Sequence, residues 1–257
     1  MGEAIALATS SRFGVGGSRY RTCRPENQPV LTDTVPFWAM RRQVFERIGL
    51  FREEMLCHED YEFNYRLRQS GGKVLLLPWL RSKYYVRSTL SGLARQYWRY
   101  GIWKGRFLRS HPESLKARHL IPPLFVVALA GGALASFRGA AGRFAFVSLV
   151  ALYAGFLLAA TANLACARGR SHETAGAEAS ASSTSTRTTT RTTTRTRART
   201  RRGAAHGVFG QALKSAALLP LVLATLHLCW GAGVWIGLLR GKVPGEPPRL
   251  SPVRSAS

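Results

Sequence analysis

Two neighbouring carboxylates, Glu59 and Asp60, are the side chains best suited to chemistry by type and spacing. They stand near the front of the segment CHEDYEFNYRLRQSGG, residues 57–72, which predicts a helix. Carboxylates are common in the first turn of a helix, because its unpaired N–H groups and its dipole favour negative charge. An Asp held there can take a proton from a bound hydroxyl, as a general base does. The spacing alone also fits a solvated acidic helix start without a catalytic role.

The residues around this acidic pair predict a small α/β unit. Phe63 and Leu67 recur at helical spacing and give the helix a buried face, and Gly71 and Gly72 end it. We also predict a strand over residues 34–40, which Pro36 confines to a sheet edge or a strand end, a helix over 42–48 closed by Gly49, and a strand over 73–77.

A second polar segment, residues 88–109, follows this unit. Gln96 and Arg99 lie in it among further basic residues and tryptophans. Basic residues near phosphate headgroups and Trp at the boundary are typical of a helix lying in a membrane interface. The same helix could shelter an active site, because the planar guanidinium of Arg binds phosphate oxygens in pairs. Both interpretations remain open at this point.

Three apolar segments without charge, residues 120–137, 144–167 and 215–239, are each about long enough to cross a bilayer. Residues 168–214 are dominated by Ser, Thr, Ala and Arg, so we predict a disordered loop. Short loops rich in Arg stay in the cytoplasm. We therefore expect this loop and the N-terminal domain on the cytoplasmic face, and the tail, residues 241–257, on the opposite face.

The net charge of +24 calls for a polyanionic neighbour. Nucleic acid, anionic lipid headgroups and a nucleotide diphosphate all qualify. Nucleic acid is the least favoured partner, because the Arg-rich tract is accompanied neither by aromatic residues that could stack on bases nor by a folded nucleic-acid-binding domain. The four cysteines show no CxxC or His-paired spacing, which indicates free thiols in a reducing compartment and neither a disulfide framework nor a zinc site.

Three stretches in order resemble family 2 glycosyltransferases, which are inverting enzymes with a GT-A fold. Glu59-Asp60 resembles their ED motif, residues 33–51 resemble the acceptor-side strand and loop, and residues 96–100 (QYWRY) are similar to QxxRW, with Tyr100 where Trp is usual. The membrane-bound exopolysaccharide transferases of the succinoglycan type are most similar. The resemblance implies a partial GT-A domain over residues 1–87, an amphipathic interfacial helix over 88–118, two spans over 119–167 and a third span over 215–240.

The resemblance also implies roles for individual residues. Asp60 would be the catalytic base and Glu59 would orient the site, while Gln96 and Arg99 would hold the donor diphosphate and the acceptor. Phe37 and Trp38 would be sugar-stacking platforms, although a core role for both is equally open. The glycine-containing segment 13–21 predicts a flexible loop, in which Arg19 and Arg21 would approach the acceptor or a phosphate.

The expected activity is transfer of a sugar from a nucleotide-sugar to a polysaccharide or lipid-linked acceptor at the cell membrane. The family binds Mg or Mn through a DxD motif, and no DxD occurs in this sequence. We therefore expect an incomplete chain that lacks the donor-binding half, which a separate polypeptide would supply. The alternative is a non-catalytic membrane scaffold or partner derived from the same fold. No signal peptide is predicted, so the N-terminal domain should stay in the cytoplasm.

Overall fold

The computed structural model describes residues 1–184, 194–241 and 243, with side chains over 1–168, 214–241 and 243. The described chain is mostly helical and contains a small two-stranded sheet. The helices are α1 (Gly2–Thr9), α2 (Arg12–Val15), α3 (Arg19–Thr22), α4 (Arg42–Ile48), α5 (Glu59–Gln69), α6 (Leu90–Ser110), the 3₁₀ turn Pro112–Ser114, α7 (Ala117–Ser136), α8 (Ala140–Thr184) and α9 (Thr194–Leu239). The strands are β1 (Val30–Thr32) and β2 (Val74–Leu76).

The sheet pairs β1 with β2 in antiparallel register, with Leu31 opposite Leu75. The strand predicted over 73–77 is therefore confirmed as β2. The strand predicted over 34–40 is wrong, because the first strand ends at Thr32 and the backbone beyond it is irregular. Pro36 has no N–H to give to a ladder, and the carbonyl of Val35 accepts instead from the side-chain amide of Asn64 at 2.9 Å.

Helix α5 confirms the prediction made from the acidic pair. Gly71 follows it with φ +81°, a conformation that glycine adopts without cost. Within the helix, buried Glu62 accepts from Nε of Arg66 at 2.7 Å, and the Arg66 guanidinium also donates to the carbonyls of Ile48 and Leu50. This buried ion pair joins α5 to the end of α4, whose predicted bounds are also confirmed.

Helix α6 lies along the second half of α9, and glycines line the crossing. A Cβ added at Gly101 or Gly105 would come within 3.0 Å of the α9 backbone, and one added at Gly233 or Gly237 would come equally close to the α6 backbone. The two backbones can approach this closely only because all four positions lack a side chain. The helix predicted over 88–109 thus packs against the third apolar segment.

Three helical segments are long and apolar enough to cross a membrane: Ala117–Ser136, Ala140–Arg168 and Lys214–Leu239. In length and composition they match the three predicted apolar segments to within a few residues. Side chains on the first two are mostly exposed, whereas the third is more enclosed by other parts of the chain. Apolar side chains left exposed over such lengths indicate a membrane protein.

The backbone of the predicted loop over 168–214 is helical up to Thr184 and again from Thr194. Residues 185–193 lie outside the described residues, and so do the side chains of 169–213. The disorder predicted for the whole segment stays a prediction, and its described backbone is helical. Ala and Arg favour helix, and a helix that begins in an apolar span propagates more easily than it starts.

Residues of the N-terminal domain contact the chain at both ends of the apolar segment in α9. Helix α1 is buried against the first half of that span, and Glu3 forms an ion pair with Arg168 and accepts from Ser215. Beyond the other end, Val243 is buried beside Met55 and Cys57. The residue beyond the end of α9 therefore contacts the domain that contains Cys57. The side of the membrane predicted for the tail stays a prediction.

Candidate functional site

The candidate site lies where the start of α5 meets α6. His58, the residue before the acidic pair, is the only non-glycine residue with positive φ (66°) in the described chain. Its Nε2 lies 3.0 Å from the backbone carbonyl of Tyr100 on α6. A carbonyl can only accept, so Nε2 carries the proton. Burial and the charge of Lys104 lower the pKa of His58 to about 4, so the ring is neutral at physiological pH.

Asp60 is half-buried and Glu59 is exposed. The Oδ1 atom of Asp60 accepts from the backbone N–H of Tyr61 at 2.7 Å, which fixes the carboxylate over the first turn of α5. Burial raises the pKa of Asp60, and the neighbouring charge of Glu59 adds to this, while the charge of Arg21 acts in the opposite direction. The carboxylate therefore has a higher proton affinity than a solvated Asp, as a general base at neutral pH requires.

Gln96 is buried and faces two tyrosines. Its Nε2 donates to the hydroxyl of Tyr100 at 2.8 Å and to the hydroxyl of Tyr84 at 3.0 Å. Both N–H groups of the amide are thereby used within the protein. Gln96 thus connects α6 to the segment between β2 and α6, and its predicted contact with a diphosphate stays a prediction.

Arg99 is exposed, one turn from Gln96 on α6. Burial raises the pKa of the Cys57 thiol to about 12, and the charge of Arg99 opposes that rise while the charges of Glu59 and Asp60 add to it. Arg99 therefore acts on the same small region as the acidic pair. Gln96 reaches the start of α5 only through Tyr100, whose backbone carbonyl accepts from His58. The shared role predicted for the acidic pair, Gln96 and Arg99 stays a prediction.

The two aromatic candidates differ from each other. Trp38 stacks on Phe51 and Phe63 with ring centroids 5.4 Å and 5.1 Å apart, so it belongs to the aromatic core beneath α5. Phe37 is 75% exposed. Of the two predicted roles, packing in the core fits the contacts of Trp38. For the exposed Phe37, sugar stacking stays a prediction.

Sequence reasoning missed His58 and Tyr84. Nothing in the sequence distinguishes a histidine with positive φ from any other residue before a helix. The contacts of Tyr84 join segments distant in the chain, since the guanidinium of Arg21 lies 4.9 Å from the centroid of its ring. The one sequence feature that could have pointed to Tyr84 is the cluster of aromatic and basic residues over 79–87.

A hard divalent ion needs several oxygen ligands. Within the part of the chain whose side chains are described, no group of three His, Cys, Asp or Glu residues could hold a metal ion. The described residues therefore do not fit the Mg or Mn that the family resemblance implies, and we derive no step through a metal.

The chain is 31% identical over 139 residues to the succinoglycan biosynthesis protein ExoA of Rhizobium meliloti (strain 1021). The match covers 51% of this chain and 39% of that protein, so the chain spans less than half the length of this relative. No family model matches the chain, and no solved structure matches it. The similarity supports a distant relationship to the succinoglycan protein.

Proposed function

We propose that this chain forms the acceptor side of a membrane-bound, inverting glycosyltransferase that takes part in the assembly of an exopolysaccharide or another envelope glycan. The similarity to a succinoglycan biosynthesis protein carries the proposal. The acidic pair and Arg99 support it, because their charges act on the same thiol, Cys57, and acceptor activation and diphosphate binding must occur within one small site. The donor would be a nucleotide-sugar, and the acceptor a glycan or a lipid-linked sugar near the membrane lipids.

In this proposal Asp60 takes the proton of an acceptor hydroxyl. The oxygen attacks the anomeric carbon of the donor sugar from the face opposite the leaving group, which inverts the configuration. The bond from that carbon to the diphosphate oxygen breaks, and its electron pair leaves with the nucleoside diphosphate. Arg99 is exposed, so its guanidinium can donate two hydrogen bonds to the phosphate oxygens of this leaving group. Glu59 helps Asp60 by raising its proton affinity.

The fold proposed for residues 1–87 is the acceptor half of a GT-A domain, on the cytoplasmic face of the cell membrane. No DxD occurs in the sequence. The nucleotide, with Mg or Mn, would then be held by a donor-binding polypeptide that carries this motif, either fused to the chain or separate from it.

The test is a transfer assay on membranes that contain the full chain, with radiolabelled nucleotide-sugars and Mg or Mn. We expect transfer only when a DxD-bearing donor-binding domain is fused or co-expressed. In that complex Asp60→Asn should lower the rate about a hundredfold or more, because a general base typically contributes that much. Glu46→Gln, which removes an exposed carboxylate of α4, is the matched control and should keep the rate. Equal rates for Asp60→Asn and the control would rule out Asp60 as the base.

The second candidate is a non-catalytic scaffold for a separate transferase. The contacts of Gln96 favour it, because both N–H groups of its amide are already used by Tyr84 and Tyr100. A scaffold would bind the partner and raise its activity, and Asp60→Asn would leave both effects unchanged.

A further inference from the structure

Tyr84 is an exposed aromatic residue whose position is unusually well fixed. It lies between β2 and α6, and 52% of its surface is accessible. Its hydroxyl accepts from Gln96 at 3.0 Å, and the guanidinium of Arg21 lies over its ring at 4.9 Å. Tyr85, its neighbour, is 88% exposed and makes neither contact. An exposed ring normally keeps its rotamer freedom, so the contacts of Tyr84 hold it in place at an entropic cost.

The contacts of Tyr84 lead to the acidic pair by two routes. On one side, Arg21 touches the Tyr84 ring and its charge reaches Asp60, where it opposes the rise in the carboxyl pKa. On the other side, Gln96 also donates to Tyr100, whose backbone carbonyl accepts from His58. The ring of Tyr84 is therefore fixed by Arg21, whose charge acts on Asp60, and by Gln96, whose second partner Tyr100 contacts His58.

A pyranose ring suits such a surface. It has an apolar face of C–H groups and an edge of hydroxyls, and tyrosine likewise combines an apolar ring with a polar tip. Binding sites for small molecules pair an apolar or aromatic surface with a few converging polar groups. Tyr84 supplies the ring here, and Arg21 and Asp60 supply the polar groups. Trp38 is half-buried and already stacks on Phe51 and Phe63.

We propose that Tyr84 is the stacking platform for an acceptor sugar, held by Arg21 and Gln96 so that a hydroxyl of the bound sugar faces Asp60. This inference rests on the proposed function and names the surface that binds the acceptor class, a pyranose of a glycan chain.

The test measures sugar binding without a donor, on the full chain in nanodiscs free of glycoside detergents. The probes are cellotetraose and maltotetraose, and saturation-transfer NMR reports binding. We expect Tyr84→Ala to weaken binding of at least one probe about tenfold, a loss of about 1.4 kcal/mol of stacking energy. Tyr84→Phe keeps the ring but loses the hydrogen bond from Gln96, so it should weaken binding about threefold. Tyr85→Ala is the matched control and should bind as the wild type does.

Three results would overturn the inference: no binding of either probe to the wild-type chain, equal binding by Tyr84→Ala and Tyr85→Ala, or equal binding by Tyr84→Ala and the wild type. A thermal melt of each variant separates loss of binding from loss of fold, and Tyr84→Phe provides a second variant should Tyr84→Ala unfold.

The outcomes for the platform and for the transferase are distinct. Sugar binding that depends on Tyr84, without transfer in any donor complex, supports the platform and counts against the enzyme. Transfer whose acceptor KM does not change in Tyr84→Ala supports the enzyme and overturns the platform.

Discussion

At the scale of single residues, His58 decides how the acidic pair is presented to α6. Its backbone has positive φ and its imidazole donates to the Tyr100 carbonyl, so one residue sets both the start of α5 and its distance from α6. A non-glycine residue in this conformation costs about 1 kcal/mol or more, which the surrounding contacts must offset. His58 thus acts through its neighbours as a positioning residue.

We predict that substitutions at His58 separate the backbone contribution from the hydrogen bond. His58→Gly relieves the backbone strain but loses the donor, and His58→Asn tolerates positive φ and offers a shorter donor. His58→Ala keeps the strain and loses the donor, so it should destabilise the fold most, by about 2 kcal/mol. Thermal unfolding in nanodiscs gives the order, and a His58→Ala variant as stable as His58→Gly would contradict it.

The pH dependence of stability is a separate prediction for the same residue. The pKa of His58 is about 4 in the fold, against an ordinary value of 6.5. As the pH falls from 6.5 to 4, the imidazole of His58 binds a proton in the unfolded chain but stays neutral in the folded chain. Stability should therefore fall by about 1.4 kcal/mol per pH unit within that window. Unfolding curves at several pH values should show this slope in the wild type and a smaller slope in His58→Asn, which controls for the other histidines.

At the scale of elements, the parts that sequence could predict are those with local signals. The acidic start and glycine end of α5, the bounds of α4 and the apolar spans all lie within short windows of sequence. The position of β1 could not be predicted, because it depends on pairing with residues 74–76, more than 40 positions away. The burial of α1 against α9 could not be predicted either, because α1 is too short to show a clear buried face in its sequence. The α6 glycines gave no sign of their partner, because GxxxG spacing does not say which helix it meets.

The crossing of α6 and α9 yields a prediction about packing. Gly105→Ala or Gly233→Ala should destabilise the protein by about 1–3 kcal/mol, because the added methyl group would overlap the facing backbone. Gly131→Ala on α7 and Gly155→Ala on α8 are matched controls, since nothing lies within 4 Å of a Cβ at either position. The controls should be neutral or stabilised, because Ala favours helix more than Gly does. Equal thermal shifts in all four variants would show that the close crossing is absent.

At the scale of the whole molecule, the contacts at the two ends of α9 bear on which helices cross the membrane. Ser215 near one end bonds Glu3, and Val243 beyond the other end lies against Cys57. Helix α6 runs beside this span and carries Lys104, whose ammonium is buried 3.6 Å from the centroid of the Tyr61 ring. Carrying such a helix through the bilayer centre would cost several kcal/mol for its cations. By contrast, the apolar side chains of Ala117–Ser136 in α7 and Ala140–Arg168 in α8 are mostly exposed.

We therefore expect α7 and α8 to form a membrane hairpin, while α9 stays with α6 and returns the tail to the side of the N-terminal domain. The test uses two single-cysteine proteins. One keeps Cys23, a half-exposed thiol, and has the other three cysteines replaced by Ala; the other carries Ser251→Cys and has all four native cysteines replaced by Ala. A membrane-impermeant maleimide should label both thiols from the same side of sealed vesicles. Labelling from opposite sides would mean that α9 crosses the bilayer, as the apolar length of residues 215–239 predicted. Cys57 is unsuited as a labelling site, because its thiol is buried and burial raises its pKa to about 12.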